Sequence, residues 1–392
     1  MVEGRMRLEE FSTKINACMS SSTACGLCRN QCPSLEFWGR EARTPRGRMA
    51  LCAHLLRGNL FPSPSLMEAM FSCILCGNCD AVCPVGAGPS RVIEAARERL
   101  VERGFLPSKH EERGSHVGRE HNPYLESHAK RFSWLPGLNL PERAPLVYFV
   151  GCTSSYREKE LARKVVELLG KMGLNFTLLK DEWCCGSFLL RTGQGRIDGR
   201  KVEEMARHNL EEVRKRGAKE IVVNCPGCYR AWKSDYPELG IQPEVEVLHL
   251  VQLLEREKNR LKVREEEVRV TYHDPCHLGR HMGIYEEPRR VLSSLPGVEL
   301  VEMPRNRENS WCCGSGGGFR AGYPEASKWV ARKRLEEARE TGAQFLLTAC
   351  PFCLRQLKEV AETLRYDMKV MDLTEFLLER WGGWSSGSSG DA

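Results

Sequence analysis

The 392-residue chain has no apolar run approaching the ~20 residues that a membrane-crossing helix needs. It also lacks an excess of either charge. The 58 Lys+Arg stand against 52 Asp+Glu, a net charge of +6, with basic residues interleaved among acidic ones. A phosphate-backbone footprint needs a basic face, so no nucleic acid is expected as partner. No leader-like segment follows Met1-Val2-Glu3-Gly4, and the chain is far longer than the small domains that disulfides staple. Against these absences stands a cysteine count of 19. The number is odd, and thiols this numerous in a reducing compartment point to metal rather than to crosslinks. The length predicts two or three domains.

The amino-terminal cysteines fall in two runs. Cys73-x-x-Cys76-x-x-Cys79-x-x-x-Cys83-Pro84 is the bacterial ferredoxin pattern, whose four thiolates wrap a cubane 4Fe–4S cluster, the fourth commonly reaching a partner cluster. In the earlier run, Cys25-x-x-Cys28-x-x-x-Cys32-Pro33, position 22 is Ser22, and Cys18 is the natural replacement. Cross-ligation then predicts one cluster on Cys18, Cys25, Cys28 and Cys83, and another on Cys32, Cys73, Cys76 and Cys79. The proline after each fourth cysteine fixes φ and suits a sharp exit from a cluster loop. Structural zinc uses paired Cys-x-x-Cys rather than these runs. Cys52 lies outside every motif, in an apolar helical pattern with Met49, Leu55 and Leu56, and reads as a packing residue. Residues 107–143 carry proline, charge and His110, His116, His121 and His128 at spacings that match no ligand pattern, and read as a solvated linker packing across the domains.

Beyond the linker a five-cysteine set occurs twice. Cys152 is followed after 31 residues by Cys184-Cys185, and after 39 more by Cys225-Pro-Gly-Cys228. Cys276 is followed after 35 residues by Cys312-Cys313, and after 36 more by Cys350-Pro-Phe-Cys353. Matching cysteines lie 124, 128 and 125 residues apart, which argues for an internal duplication. Short apolar runs at 146–150, 175–179, 220–224 and 245–248, with helical patterns at 157–170 and 197–215, predict a βαβα order. The runs at 268–272, 298–303 and 344–348 repeat it. The lone cysteine and the Cys-x-x-Cys then sit just past strand ends, where open α/β sheets bind ligands. Helices starting at the Cys-Pro-x-Cys turns would aim their amino ends at the same place, favouring thiolates. The fold class expected is α/β, with an α-helical ferredoxin-type domain and two pseudo-duplicated α/β cysteine-rich domains.

Adjacent cysteines cannot easily bond to each other, but each can reach a different iron of a multi-metal centre. Zinc would strand one ligand of each five, and a thioredoxin-like dithiol explains only two of them. Gly314-Ser315-Gly316-Gly317-Gly318 does not follow a strand and has the wrong spacing for a dinucleotide loop. It reads as backbone free to approach a cluster and donate N–H groups. His273 and His277 flank Cys276; either could protonate a departing thiolate or simply bond the loop, and His277 is the better candidate.

Together these residues resemble the cysteine-rich domain of heterodisulfide reductases of methanogens and their relatives. The first half departs slightly, with 39 residues in its second gap. A two-cluster ferredoxin domain followed by two such domains is similar to the D-type heterodisulfide reductase subunit. It is also similar to the iron–sulfur subunits of glycolate, lactate and anaerobic glycerol-3-phosphate dehydrogenases, and Pro45-Arg46-Gly47-Arg48 resembles the Pro-Arg-Gly-Arg segment of the glycolate-oxidase type. The resemblance implies two cubane clusters and one or two non-cubane 4Fe–4S clusters, the latter framed by Cys276, Cys312, Cys313, Cys350 and Cys353 and by Cys152, Cys184, Cys185, Cys225 and Cys228. Five cysteines in each half, Tyr272 to Arg280 and the Cys-Cys-Gly-x-Gly-Gly-Gly stretch favour a disulfide-reducing enzyme. The alternative is an electron-transfer subunit of a flavin-dependent dehydrogenase. Either needs an electron-donor or acceptor subunit, a flavoprotein or a membrane cytochrome b, beside a disulfide or other small-molecule substrate. The expected location is cytoplasmic, or peripheral on the inner membrane face through that partner. The expected division is a dicluster domain (1–106), linker (107–143), two cysteine-rich domains (144–262, 263–384) and a flexible tail (385–392).

Overall fold

The computed structural model describes residues 7–20, 25–135, 137, 139–195 and 201–382. Ser22, Trp384 and the Gly/Ser-rich tail lie outside them.

The first hundred residues are helical. Pro45–Leu56, Pro64–Phe71 and Pro89–Glu102 each open with proline, whose missing N–H costs nothing in a first turn. Thr44 caps the first of these by accepting from Gly47 N at 2.9 Å, and Ser63 the second, from Leu66 N at 3.3 Å. Their inner faces bury Met49, Met70, Phe71, Val92, Ile93 and Leu100. Cys52 lies in this core, its thiol pushed up to about 12 by burial. The Pro-Arg-Gly-Arg segment has a structural role here. Arg48, fully buried, donates to Ala69 O, Ser72 Oγ and Ser34 Oγ at 2.7, 3.0 and 3.4 Å.

The remainder is two parallel four-stranded sheets. In the first, β1 (Leu146–Phe149), β2 (Phe176–Leu178), β3 (Glu220–Val223) and β4 (Glu246–His249) take the order β2-β1-β3-β4. In the second, β5 (Val268–Tyr272), β6 (Val298–Leu300), β7 (Phe345–Thr348) and β8 (Lys369–Asp372) take the order β6-β5-β7-β8. Strand β1 is buried along its whole length, as a parallel sheet covered on both faces requires. Helix Lys159–Lys171 covers it with Leu161, Val165, Leu168 and Leu169, each worth roughly 1.5–3 kcal/mol of burial. Strand β8, with exposed Lys369 at its start and no long apolar run, gives no readable signal in the sequence. The segment 107–143 contains a helix, Ser108–Glu120, that composition hides. It buries His110, Gly114 and Val117, which keep helical spacing although only one is apolar.

The two sheets face each other about a pseudo-twofold. Helix Lys159–Lys171 of the first half packs on Leu373–Glu379 of the second, and Glu286–Ser293 of the second packs on Leu250–Arg256 of the first. The ion pairs are reciprocal as well: Lys164 with Glu375 at 3.1 Å, and Arg290 with Glu255. Each contact occurring twice with roles exchanged is the signature of an isologous interface, here within one chain. The helices that close each half are capped alike, by capping boxes on His249 and Asp372.

Burial raises the Asp372 carboxyl to about 7, while its Oδ1 still accepts from Thr374 N. A carboxyl raised above its unfolded value stabilises the fold at low pH, and that stability is lost as pH rises through about 7. Asp372→Asn keeps the cap and removes the charge. Its melting temperature should exceed wild type at pH 8 and the gain should shrink toward pH 5.5, measured by calorimetry.

Candidate active site at the joined sheet edges

Strand order reverses between β1 and β3, which opens a crevice at their carboxyl ends. Cys152 lies in the first turn of helix Gly151–Tyr156, directly after β1. Cys225, after β3, is the N-cap of helix Pro226–Arg230, which carries Cys228 in its first turn. Cys184 and Cys185 lie on the loop after β2. The second half repeats this, with Cys350 capping Pro351–Thr363 and Cys353 in its first turn. All ten side chains are buried.

Within each half the sulfurs form one chain of contacts. Cys152 meets Cys184, Cys185 meets Cys228, and Cys228 meets Cys225. Cys276 meets Cys312, Cys313 meets Cys353, and Cys353 meets Cys350. The second thiol of each vicinal pair is shifted down, Cys185 to about 6, chiefly by the hydrogen bond from its vicinal neighbour. The last cysteine of each set, Cys228 or Cys353, is shifted up chiefly by bonding that same thiol. The first cysteines differ: Cys152 is raised, chiefly by Cys184, whereas Cys276 is lowered by Cys312 and then by His277.

The glycine after each vicinal pair is required by space. Gly186 (φ +79°) and Gly314 (φ +84°) turn their N–H back onto Cys184 Sγ and Cys312 Sγ, both at 3.4 Å. A Cβ would lie 2.7 Å from Val202 Cγ1 in one half and 2.6 Å from Ser327 O in the other. Two further glycines of the stretch also tie the halves to other elements through their carbonyls. Gly317 O accepts from Arg97 at 2.9 Å, and Gly318 O is 2.8 Å from His110 Nε2.

Both sulfur chains open on one cavity of about 490 Å³. Nine of the ten cysteines line it, Cys312 alone being set behind. Five arginines share the wall, Arg113, Arg157, Arg191, Arg320 and Arg355, and among the described residues no acidic side chain does. Phe188, Phe352, Tyr124 and half-exposed Leu125 supply apolar surface. His277 is on the wall with Nδ1 3.4 Å from Cys276 Sγ. His273 is not. It lies fully buried behind Cys313, so it cannot meet a leaving group in the cavity.

The amino-terminal cysteines gather in two groups. Cys18, Cys25, Cys28 and Cys83 surround a small cavity with Arg46, Leu27 and Val85, and Cys25 is exposed. Cys32, Cys73, Cys76 and Cys79 interact with one another. Cys76 also meets Cys312, so this group abuts the second cysteine-rich half directly. Arg280 and His281 fix that junction by binding Cys76 O at 2.7 Å and Leu75 O at 2.9 Å.

Two features were not readable from motifs. Arg131 comes from the segment between domains, donates to Glu182 Oε1 at 2.8 Å and lies 3.4 Å from Cys152 Sγ. His121, from the same segment, stacks on Trp183 at 3.6 Å, and His208 stacks on its other face at 3.8 Å. His128 pairs with Asp181, and His116 bonds Glu126 O. The four histidines thus each brace a different contact. Among the described residues they form no metal group.

The donor set suits iron and sulfide: soft thiolates in unbroken chains, backbone N–H groups on two of them, and every cysteine free of disulfides. Comparison with known proteins defines the class. The 4Fe-4S dicluster domain family matches residues 15–87, and the cysteine-rich domain family matches 146–232 and 270–358. The chain is an iron–sulfur oxidoreductase. It is 38% identical to the D-type subunit of the dihydromethanophenazine:CoB–CoM heterodisulfide reductase of Methanosarcina barkeri, over 94% of each chain. It is 33% identical to the B-type subunit of the fumarate reductase (CoM/CoB) of Methanothermobacter marburgensis, over 79% of this chain and 61% of that one. It is 29% identical to the EtfAB:quinone oxidoreductase of Syntrophomonas wolfei, over 79% and 46%. The chain belongs to the family of D-type heterodisulfide reductase subunits. No helix among the described residues is long and apolar enough to cross a membrane.

Gly314→Ala forces a clash with backbone in a left-handed turn, a cost of about 1–3 kcal/mol. Gly283→Ala meets nothing within 4 Å and controls for backbone strain alone. The first variant should lose iron relative to the second, measured as iron per purified chain.

Proposed function

We propose that this chain reduces a disulfide, with electrons entering at the amino-terminal clusters and the S–S bond broken between the two cysteine-rich halves. The observation that carries this reading is the single cavity on which both five-cysteine sets open. A relay needs one exit, whereas splitting a disulfide yields two sulfurs that each need a place to land. The step takes one disulfide, two electrons and two protons to two thiols.

In this reading Cys18, Cys25, Cys28 and Cys83 hold one cubane, and Cys32, Cys73, Cys76 and Cys79 the other. Each five-cysteine set holds a further 4Fe–4S centre, of non-cubane type. When bound, these groups supply one-electron storage and iron sites that take up thiolate sulfur. The chain's own side chains do the rest. Contact between Cys76 and Cys312 supports entry of electrons through the second half. Arg157, Arg191 and Arg320 of the wall are paired with Glu126, Glu94 and Glu359 behind it, and Arg113 and Arg355 add cationic surface that favours a disulfide carrying anionic groups. His277, beside Cys276, can pass a proton to a leaving thiolate. Residues 1–106 act as the electron inlet and residues 144–382 as the reaction chamber, with 107–143 bracing them. The relatives named as subunits support a partner subunit that gives or takes electrons, for which we propose a flavoprotein or a membrane cytochrome b.

Kinship to the EtfAB:quinone oxidoreductase favours a second reading, an electron-transfer subunit that does no substrate chemistry. One experiment separates them. Anaerobically purified chain should reduce an anionic disulfide with reduced viologen, and Cys313→Ser should abolish this while Cys52→Ser retains it. Four cubane-only signals in low-temperature EPR, with no disulfide turnover, would reject disulfide reduction in favour of the relay.

A further inference from the structure

The two halves repeat each other closely at the sulfurs but not behind them. His273 lies three residues before Cys276, and the equivalent position before Cys152 is Phe149. Gly314 packs on Val330 as Gly186 packs on Val202, and the same register puts Ala206 opposite Arg334. The second half therefore has a histidine and an arginine, both fully buried, where the first has Phe149 packed on Trp232 at 5.4 Å and a buried alanine.

The chemistry of this pair is constrained. Arg334 Nε donates to His273 Nδ1 at 3.1 Å. A guanidinium only donates, so Nδ1 is the acceptor and the neutral ring carries its hydrogen on Nε2. Nε2 is buried and makes no hydrogen bond in the protein alone, to sulfur or otherwise. The groups it can meet are sulfurs: a ring nitrogen of His273 and Sγ of Cys313 and Cys353 all lie within 4.8 Å of one another. A free histidine could ligate metal through Nε2, but this one has no lone pair left there. Arg334 is itself held by Glu337 Oε2, Arg305 O and Ser310 Oγ, at 2.8, 2.8 and 3.1 Å, so the tautomer is locked from outside.

We propose that His273, locked by Arg334, is a positioning residue that donates Nε2–H to the Cys313–Cys353 sulfur pair and so makes the second cysteine-rich centre easier to reduce than the first. This rests on the reading that iron–sulfur centres occupy both sets. A hydrogen bond to a cluster sulfur stabilises the more negative, reduced state and raises its potential. The half so tuned is also the half that abuts Cys76. An electron delivered there is held until a second follows, which suits a two-electron bond scission fed one electron at a time.

The test is an EPR-monitored redox titration of the anaerobically purified full chain, with His273→Phe, which copies the first half, His273→Gln and Arg334→Met. His273→Phe should lower the reduction equilibrium constant of one centre about tenfold, ~59 mV for one electron, and leave the other centres in place. Gln returns an N–H donor and should restore much of the shift. Arg334→Met keeps the ring but frees the tautomer and should lower the same potential, so the inference stays testable should His273→Phe fail to fold. Proton ENDOR before and after exchange into deuterium oxide should show, in wild type and in the Gln variant, one exchangeable-proton coupling at that centre beyond those the Phe variant retains, the Gly314 N–H on Cys312 among them. Unchanged potentials in His273→Phe or Arg334→Met at full iron content overturn the inference alone. A nitrogen coupling of ligand size overturns it by making His273 a ligand. If Cys350→Ser/Cys353→Ser has the iron content of wild type, the second set holds no cluster, and the functional reading falls with it.

Discussion

The arrangement depends on one buried cation. Arg97, on the longest helix of the ferredoxin-type part, is fully buried and gives its donors to backbone carbonyls from three regions of the chain. It binds Met70 O and Cys73 O beside the second cysteine group, Arg191 O at the end of a helix of the first half, and Gly317 O in the second. A guanidinium taken out of water is costly unless its hydrogens are satisfied, and here they are satisfied only when all three regions are in place. Burial lowers it to about 10, so it stays charged at neutral pH. The amino-terminal helical part and the two cysteine-rich halves are thereby held in one register.

The second constraint is the internal twofold. A sheet with β2-β1-β3-β4 order offers one crevice, at its carboxyl edge. Two such sheets could pack with their crevices on opposite sides, giving two independent sites. Reciprocal packing of Lys159–Lys171 on Leu373–Glu379 and of Glu286–Ser293 on Leu250–Arg256 instead turns both crevices inward. Duplication supplied the equal halves, and the interface made them one chamber. The halves could then diverge in what surrounds the sulfurs, with Arg131 and Glu182 behind one and His273 and Arg334 behind the other.

Much of this was legible in the sequence. Cysteine spacing identified the duplication, and apolar runs ending at Cys152, Cys225, Cys276 and Cys350 put those residues at strand ends, because a buried parallel strand leaves a continuous apolar signature. Other features were hidden for definite reasons. Spacing within a half says nothing about how two halves face each other, so the shared cavity was unreadable. The helix Ser108–Glu120 buries a histidine and a glycine, which a search for apolar stripes passes over. Arg131 reaches Cys152 from 21 residues upstream, with no motif around it. Strand β8 exposes its first residue and is too short to show alternation. The glycine-rich stretch after Cys313 reads, as sequence, as backbone close to sulfur; Gly314 donates to Cys312 Sγ, while the carbonyls of Gly317 and Gly318 meet Arg97 and His110, a second use that spacing does not disclose.

One further feature bears on how such a molecule ages. Of the eighteen cysteines in motifs, only Cys25 is exposed, at the far end from the chamber. Dissolved oxygen and chelators meet that thiol at the surface, whereas they reach the sulfurs of the cavity only along the path a substrate would take. Weathering by air therefore starts from two unequal doors, an open one at Cys25 and a guarded one at the cavity mouth.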